Sequence, residues 1–299
     1  HLITRASLPG YQYEWFVNVP RGNRNALMIS TTNLDRQAGT QLSIPNLPEG
    51  VQATIPPFAK GAVSVPVVFE ATAQTKTQSR LLAVNAKATV KGRKVENEEF
   101  QQSVVTVEAR NRNRYLATQI NKLPLAVTKR SPFSISVPKV TVPLIRNSSI
   151  SVPVDIQWDK NFKGSARIRM LYNPPGITAG QVEVKPGQKR ANLTLQANGS
   201  AATDVHKIVL VAMGSVDGAN ISTSSKIIDL EVNRPWIQAS VGKTRSTPGA
   251  NVNLDIEITR AKKHSGKIEA AWIGIPRDIS CGAVAIQADT KKLTIPVKI

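Results

Sequence analysis

Apolar residues recur two apart along most of this chain, with polar or charged residues between them, and the pattern itself repeats. Residues 135 to 197 lie over residues 237 to 299 at a constant offset of 102 without a gap. Ile150, Val152, Val154 and Ile156 fall on Val252, Leu254, Ile256 and Ile258. Ala166, Ile168 and Met170 fall on Ile268, Ala270 and Trp272, Val182 and Val184 on Val284 and Ile286, and Leu193, Leu195 and Ala197 on Ile295, Val297 and Ile299. A strand with one face on a core and the other in water reads this way. The punctuation recurs too, Gly164 on Gly266, Pro174 on Pro276 and Gly180 on Gly282, so turns return where strands end.

A looser copy lies upstream at an offset of 126, where Pro48, Gly50 and Val51 match Pro174, Gly176 and Ile177, and Gly61, Val67 and Phe69 match Gly187, Leu193 and Leu195. The two offsets differ by 24, which places extra chain between the first and second copies. Residues 109–134, without an acid and with six bases, are the natural candidate for it. The junction around Asn233, Arg234 and Pro235 is far shorter.

Within the second copy the alternation predicts strands near 133–139, 150–156, 165–172, 181–184, 191–197, 206–213 and 225–232. No stretch shows a 3.6-residue apolar period of helical length, so helix is expected to be minor. Short strands with regular turn signals predict an all-β chain of tandem immunoglobulin-like β-sandwich domains. The expected division is a sandwich over 1–108, a basic linker over 109–132, a sandwich over 133–232 and a last one over 233–299. Ile299 aligns with Ala197, so the last module is expected to be incomplete, lacking two strands, and the chain to be a piece of a longer one.

Composition bears on the setting. Aromatic residues make up 5% of the chain, which suits cores of Val and Ile rather than aromatic ligand platforms. A single cysteine excludes an internal disulfide, including the one of antibody-type domains. No apolar run approaches the length of a membrane-spanning helix.

The formal charge of +19 raises the question of a polyanion partner. It is spread evenly, +8 over residues 1–129, +5 over 130–232 and +6 over 233–299, and no cluster of stacking aromatics accompanies it. Nucleic acid is therefore disfavoured as a partner, and a basic solvated surface is the first expectation. An anionic polysaccharide or lipid headgroup is the second, with Arg110, Arg112, Arg114, Lys122, Lys129 and Arg130 as its local contact.

Catalytic chemistry finds little material. The histidines are His1, His206 and His264, which read as a terminus, a loop edge and a turn. One Cys and scattered His cannot supply a zinc site. Asp155 and Asp159 lack the loop that calcium requires. Glu96, Glu98 and Glu99 are expected to sit in a charged hairpin facing Lys91, Arg93 and Lys94. Cys281 aligns with Ala179 and reads as a small buried residue. Trp272 reads as core, and Trp158 and Trp236 as strand-end rings at a module edge. The Asn-x-Ser/Thr triplets at Asn147, Asn192, Asn198 and Asn220 lie in polar stretches that generate such triplets by chance. We expect no catalytic residues, cofactor or metal.

The stretch NPPGITAGQVEVKPGQKRANLTLQANGSAATDVHKIVLVAMG and its partner NLPEGVQATIPPFAKGAVSVPVVFEATAQTKTQSRLLAVNAKA resemble the tandem immunoglobulin-like modules of large exported bacterial proteins, of the kind abundant in planctomycetes. They are also similar to the immunoglobulin-like domains attached to bacterial glycosidases. Asp278 stands where the shared pattern has Gly, and ANGSAATD lacks its Pro-Gly turn. The resemblance implies a non-catalytic structural or adhesive segment of an extracellular, periplasmic or cell-envelope protein, its partners being other domains or chains of the larger protein. It equally allows an accessory spacer or carbohydrate-binding region of a secreted protease or glycosidase, or a subunit of an envelope assembly.

Overall fold

The computed structural model divides into two compact units, residues 1–233 and 234–299. It describes residues 3–7, 16–32, 40–59, 62, 64–90, 93–97, 100–108, 114–247, 249–261, 268–270, 279, 282–287 and 289–298. Among these every regular element is a β-strand. The chain is all-β, a tandem of immunoglobulin-like sandwiches.

The first sandwich contains β1 (Ile3–Ser7), β2 (Val17–Pro20), β3 (Asn23–Thr32), β4 (Gln41–Ser43), β5 (Val51–Thr54), β6 (Ser64–Ala71), β7 (Gln78–Leu82), β8 (Asn85–Val90), β9 (Arg93–Asn97), β10 (Gln102–Glu108), β11 (Arg114–Ile120) and β12 (Leu123–Thr128). One layer has the order β1-β3-β6-β5, and β2-β12-β7 and β4-β8-β9 belong to the other side. Leu27, Ile29, Val67, Phe69, Leu82, Phe100, Leu123 and Leu125 are buried together between them.

The second sandwich contains β13 (Phe133–Ser136), β14 (Leu144–Ile145), β15 (Ser148–Trp158), β16 (Ala166–Met170), β17 (Ile177–Ala179), β18 (Gln181–Val184), β19 (Arg190–Ala197), β20 (Val205–Ile208), β21 (Leu210–Val216), β22 (Ala219–Ser224) and β23 (Ile228–Asn233). Its layers are β13-β15-β19-β17 against β18-β16-β21-β22, with β14-β23-β20 alongside. The single strand expected over 206–213 is two, β20 pairing with β23 and β21 with β16 and β22. A strand absent from the sequence reading, β22, follows the tight turn at Asp217 and Gly218, whose φ angles are +50° and +80°. An Asp-Gly pair between strands favours this two-residue hairpin because both residues tolerate positive φ.

The basic stretch between the first two modules is not a linker. Leu123, Leu125 and Val127 are buried in the first core, and β12 pairs with β2 on one side and β7 on the other. Three apolar residues two apart cannot stay in water when a sheet offers them a buried face, so the first sandwich runs on to Thr128. The extra chain is a β-hairpin, β10 against β11, inserted within that sandwich. β7, β8 and β9 correspond to β20, β21 and β22. Twenty-five residues then separate Asn97 from Leu123, where three separate Ser224 from Ile228.

The second unit contains β24 (Ile237–Val241), β25 (Asn251–Arg260), β26 (Ile268–Ala270), β27 (Val284–Ile286) and β28 (Lys292–Lys298). The offset of 102 holds in its register, Asn251 facing Lys298 as Ser149 faces Gln196, and Ile268 facing Ile286 as Ala166 faces Val184. Ile237 faces Arg260, whereas Ile135 faces Ile156, so this one ladder is shifted by two residues and keeps its side chains on the same face. Ile256, Ile258, Ile295 and Val297 form the buried core.

Candidate functional site

The most developed feature of unit 1 is the seam between its two sandwiches. Strict alternation fails in β3, β6 and the stretch running into β21, where apolar residues are consecutive. Leu27 and Ile29 enter the first core while Ala26 and Met28 turn the other way, and Val68 does the same between Val67 and Phe69. Opposite them, Leu210 and Ala212 enter the second core while Val209 and Val211 turn outward beside Leu171. Six buried residues, Ala26, Met28, Val68, Leu171, Val209 and Val211, thus form a third core between the sandwiches.

Asparagines border this core. Asn23 donates from Nδ2 to the Phe133 carbonyl at 3.0 Å. Asn25 Nδ2 donates at 2.8 Å to both the Asn18 carbonyl and Ser222 Oγ. Their Oδ1 atoms accept from the amides of Arg24 and Ala26. Both side chains are buried, and the paired amides meet the need for partners that burial imposes. Beside the seam Phe16, Asn18, Arg169, Asn220 and Ser222 line a cleft of about 40 Å³. That space suits a few waters and is too small for an organic ligand.

Aromatic rings close the adjacent end of the second sandwich. Phe133, Trp158 and Phe162 lie with ring centroids 5.8 to 5.9 Å apart. Phe162 stacks on the Trp158 indole at 14°, and Trp158 Nε1 donates to the Gln188 carbonyl at 2.7 Å. One face and the polar edge of this indole are therefore engaged within the module, as expected of a strand-end ring rather than a sugar platform.

Of the six bases expected as a polyanion contact, Lys122, Lys129 and Arg130 are described with their side chains. Lys122 occupies the turn before β12, and Lys129 and Arg130 follow its end, all three exposed. At about 3.3 Å per residue the strand holds Lys122 roughly 23 Å from Lys129. Arg114 opens β11 opposite Glu108. Arg110 and Arg112 lie outside the described residues.

Several of the described acidic residues are engaged in structure. Asp155 receives Arg190 Nε at 2.6 Å directly across the β15 and β19 ladder, and the hydrogen bond and charge of Asp155 push the Arg190 pKa upward. Asp159 accepts from the Asn161 amide. Glu96 pairs with Lys87 across the β8 and β9 ladder at 2.7 Å, and Arg93 and Lys94 lie on the same strand as Glu96 rather than facing it across the turn. Hydrogen bonds from Lys292 and Thr294 hold the Asp255 carboxyl below its usual range. His206 lies 3.0 Å from the Ala202 carbonyl. Among the described residues no group of three or more His, Cys, Asp or Glu could hold a metal. His1, His264, Trp272, Cys281, Lys91, Glu98 and Glu99 lie outside the described residues.

No protein-family model matches the chain, and no curated protein sequence matches it. Among solved structures, the adhesin InvE of Yersinia pseudotuberculosis is similar at 9% identity and a TM-score of 0.22. The match covers 80% of this chain and 64% of the adhesin chain, so this chain spans just under two thirds of that structure. Fibronectin(III)-like modules of Clostridium thermocellum CbhA are similar at 12% identity and a TM-score of 0.21, over 76% of this chain and 94% of theirs. The fold assignment rests on the strand pairing above.

Proposed function

We propose that this chain is a non-catalytic structural segment of a larger exported or cell-surface protein, in which sandwiches docked in series hold other parts of that protein at a set distance. The observation that carries this is the third core. Two modules tied only by a linker would reorient freely. Burying Met28, Val68, Leu171, Val209 and Val211 between them, with Asn23 and Asn25 bonded across, makes their relative orientation costly to change. A basic surface adds weak, additive contacts to anionic envelope polymers.

Two measurements test this. Small-angle scattering of the chain is expected to show the two sandwiches of unit 1 as one rigid body, and independent tumbling would refute the spacer role. Binding to an anionic polysaccharide such as heparin is expected to weaken steeply with added salt. Salt-independent binding, or none at low salt, would remove the polyanion part.

A further inference from the structure

One ladder position differs in kind between the two sandwiches of unit 1 while its neighbour agrees. Leu82 faces Leu123 in the first sandwich and Ile208 faces Ile228 in the second, and Leu82 and Ile208 are both buried. One residue back on β7 and β20 the chain turns outward, with Leu81 opposite Pro124 and Lys207 opposite Asp229. The second sandwich fills this wet position with an ion pair at 2.7 Å. The first places an apolar pair there and leaves Leu81 66% exposed. Single exposed apolar residues need no explanation, but this pair is the floor of a pocket.

The β10 and β11 hairpin, which has no counterpart in the second sandwich, returns to the sheet beside that pair. Ile120 joins Leu81 and Pro124 in lining a pocket of about 480 Å³, a size that ligand sites commonly have and far above the 40 Å³ cleft at the seam. Gln101, Gln119 and Asn121 bring three side-chain amides to it, and Lys122 brings an ammonium. No residue of the lining is acidic. The next outward pair of the ladder, Ser79 and Ala126, is uncharged. Buried Gln102 donates from Nε2 to the Lys122 carbonyl at 3.3 Å and so fixes the turn that carries Asn121 and Lys122.

These groups select a ligand chemistry. A side-chain amide both donates and accepts, as a sugar hydroxyl does, whereas a bare phosphate or sulfate only accepts. β12 is paired on both sides, so the floor is a sheet face of side chains and not a free strand edge that would take up a peptide backbone. A pyranose ring turns C–H groups to one face and hydroxyls to its rim, which matches the apolar floor and the amides. A carboxylate on that ring matches Lys122 in a lining without acids. We propose that the pocket at the base of the hairpin binds a uronic acid unit of an acidic polysaccharide, its ring on Leu81 and Pro124, its hydroxyls on the amides and its carboxylate at Lys122. This rests on the polyanion reading and gives it a place and a chemical class.

The test is titration calorimetry of the whole chain with a galacturonic acid oligomer and with the neutral methyl ester of that oligomer. The acid is expected to bind about tenfold more tightly than the ester. Leu81→Lys with Pro124→Asp writes the ion pair of the second sandwich into the first and leaves the net charge unchanged. It is expected to weaken binding of the acid by about tenfold or more, with the fold retained by circular dichroism. Asn121→Ala, at an exposed residue, is expected to weaken acid and ester alike, and decides the matter if the double variant does not fold. Lys122→Gln is expected to bring the acid down to the affinity of the ester, and Lys129→Gln to leave both unchanged. Full binding by the folded double variant, or equal losses in Lys122→Gln and Lys129→Gln, would overturn the pocket and leave a diffuse polyanion surface standing. Displacement of the oligomer by polyglutamate at equal carboxylate concentration would overturn the sugar. No binding by the parent chain even at low salt would refute the polyanion reading together with the pocket.

Discussion

Asn23 and Phe133 lie 110 residues apart and are joined by a 3.0 Å hydrogen bond from the amide of one to the carbonyl of the other. The same carbonyl accepts from Ser131 Oγ at 2.8 Å, and the Phe133 ring packs on Trp158 and Phe162. The first strand of the second sandwich is thus held by its own module and by its neighbour at one residue.

Removing Asn25 is expected to cost more than removing Asn23. In Asn25→Ala the Asn18 carbonyl and Ser222 Oγ both lose a donor, for about 1–3 kcal/mol. In Asn23→Ala the Phe133 carbonyl keeps Ser131, and the cost falls toward about 1 kcal/mol. Urea denaturation of each variant reads the difference, and equal costs would show that these bonds do not set it.

Leu171→Ala is expected to cost about 2–5 kcal/mol. Leu171 is 1% exposed and belongs to the seam rather than to either module's own core. Calorimetry should therefore show the two sandwiches of unit 1 melting together in the parent chain and separately in the variant. A uniform downward shift would place Leu171 in a module core instead.

Two glycines should respond differently to alanine. Gly176 has φ of +79°, and a Cβ there would sit 2.6 Å from the backbone N and Cα of Ala201, so Gly176→Ala is expected to cost more than about 1 kcal/mol. A Cβ at Gly180 meets nothing within 4 Å, and Gly180→Ala should stay within about 0.5 kcal/mol of the parent. Thermal denaturation of the pair tests the contrast.

Asp255 should titrate below a free aspartate, because Lys292 and Thr294 hydrogen-bond its ionised form. A lowered native pKa means that the contribution is complete above the unfolded value, about 4, and is lost as pH falls through the native one. Carboxyl chemical shifts followed against pH should show the midpoint rise in Lys292→Ala and rise with salt. An unmoved midpoint in Lys292→Ala would assign the shift elsewhere.

Alternation was enough to locate β15, β16, β18 and β19, because each has one wet face and one dry face, and periodicity reports that difference. The seam left a different trace. Ala26 to Ile29, Val67 to Phe69 and Val209 to Ala212 are unbroken apolar runs, as expected of strands covered on both faces. They can be read as interface only once the neighbouring core claims every second residue. The short β14 and β17 span two and three residues, too few to show a period. The basic stretch misled because its charge outweighed the alternation of Leu123, Leu125 and Val127 within it.

The β10 and β11 hairpin leaves the first sandwich and returns to it with Gln102 Nε2 donating to the Lys122 carbonyl at 3.3 Å across its base. The second sandwich makes the equivalent passage in three residues and closes its sheet all the same. Nature has thus supplied a version of the fold with this appendage excised. Phe100 belongs to the first core, so the stretch from Ser103 to Ile120 is accordingly the splice point, where one segment could be exchanged for another without rewriting the scaffold that carries it.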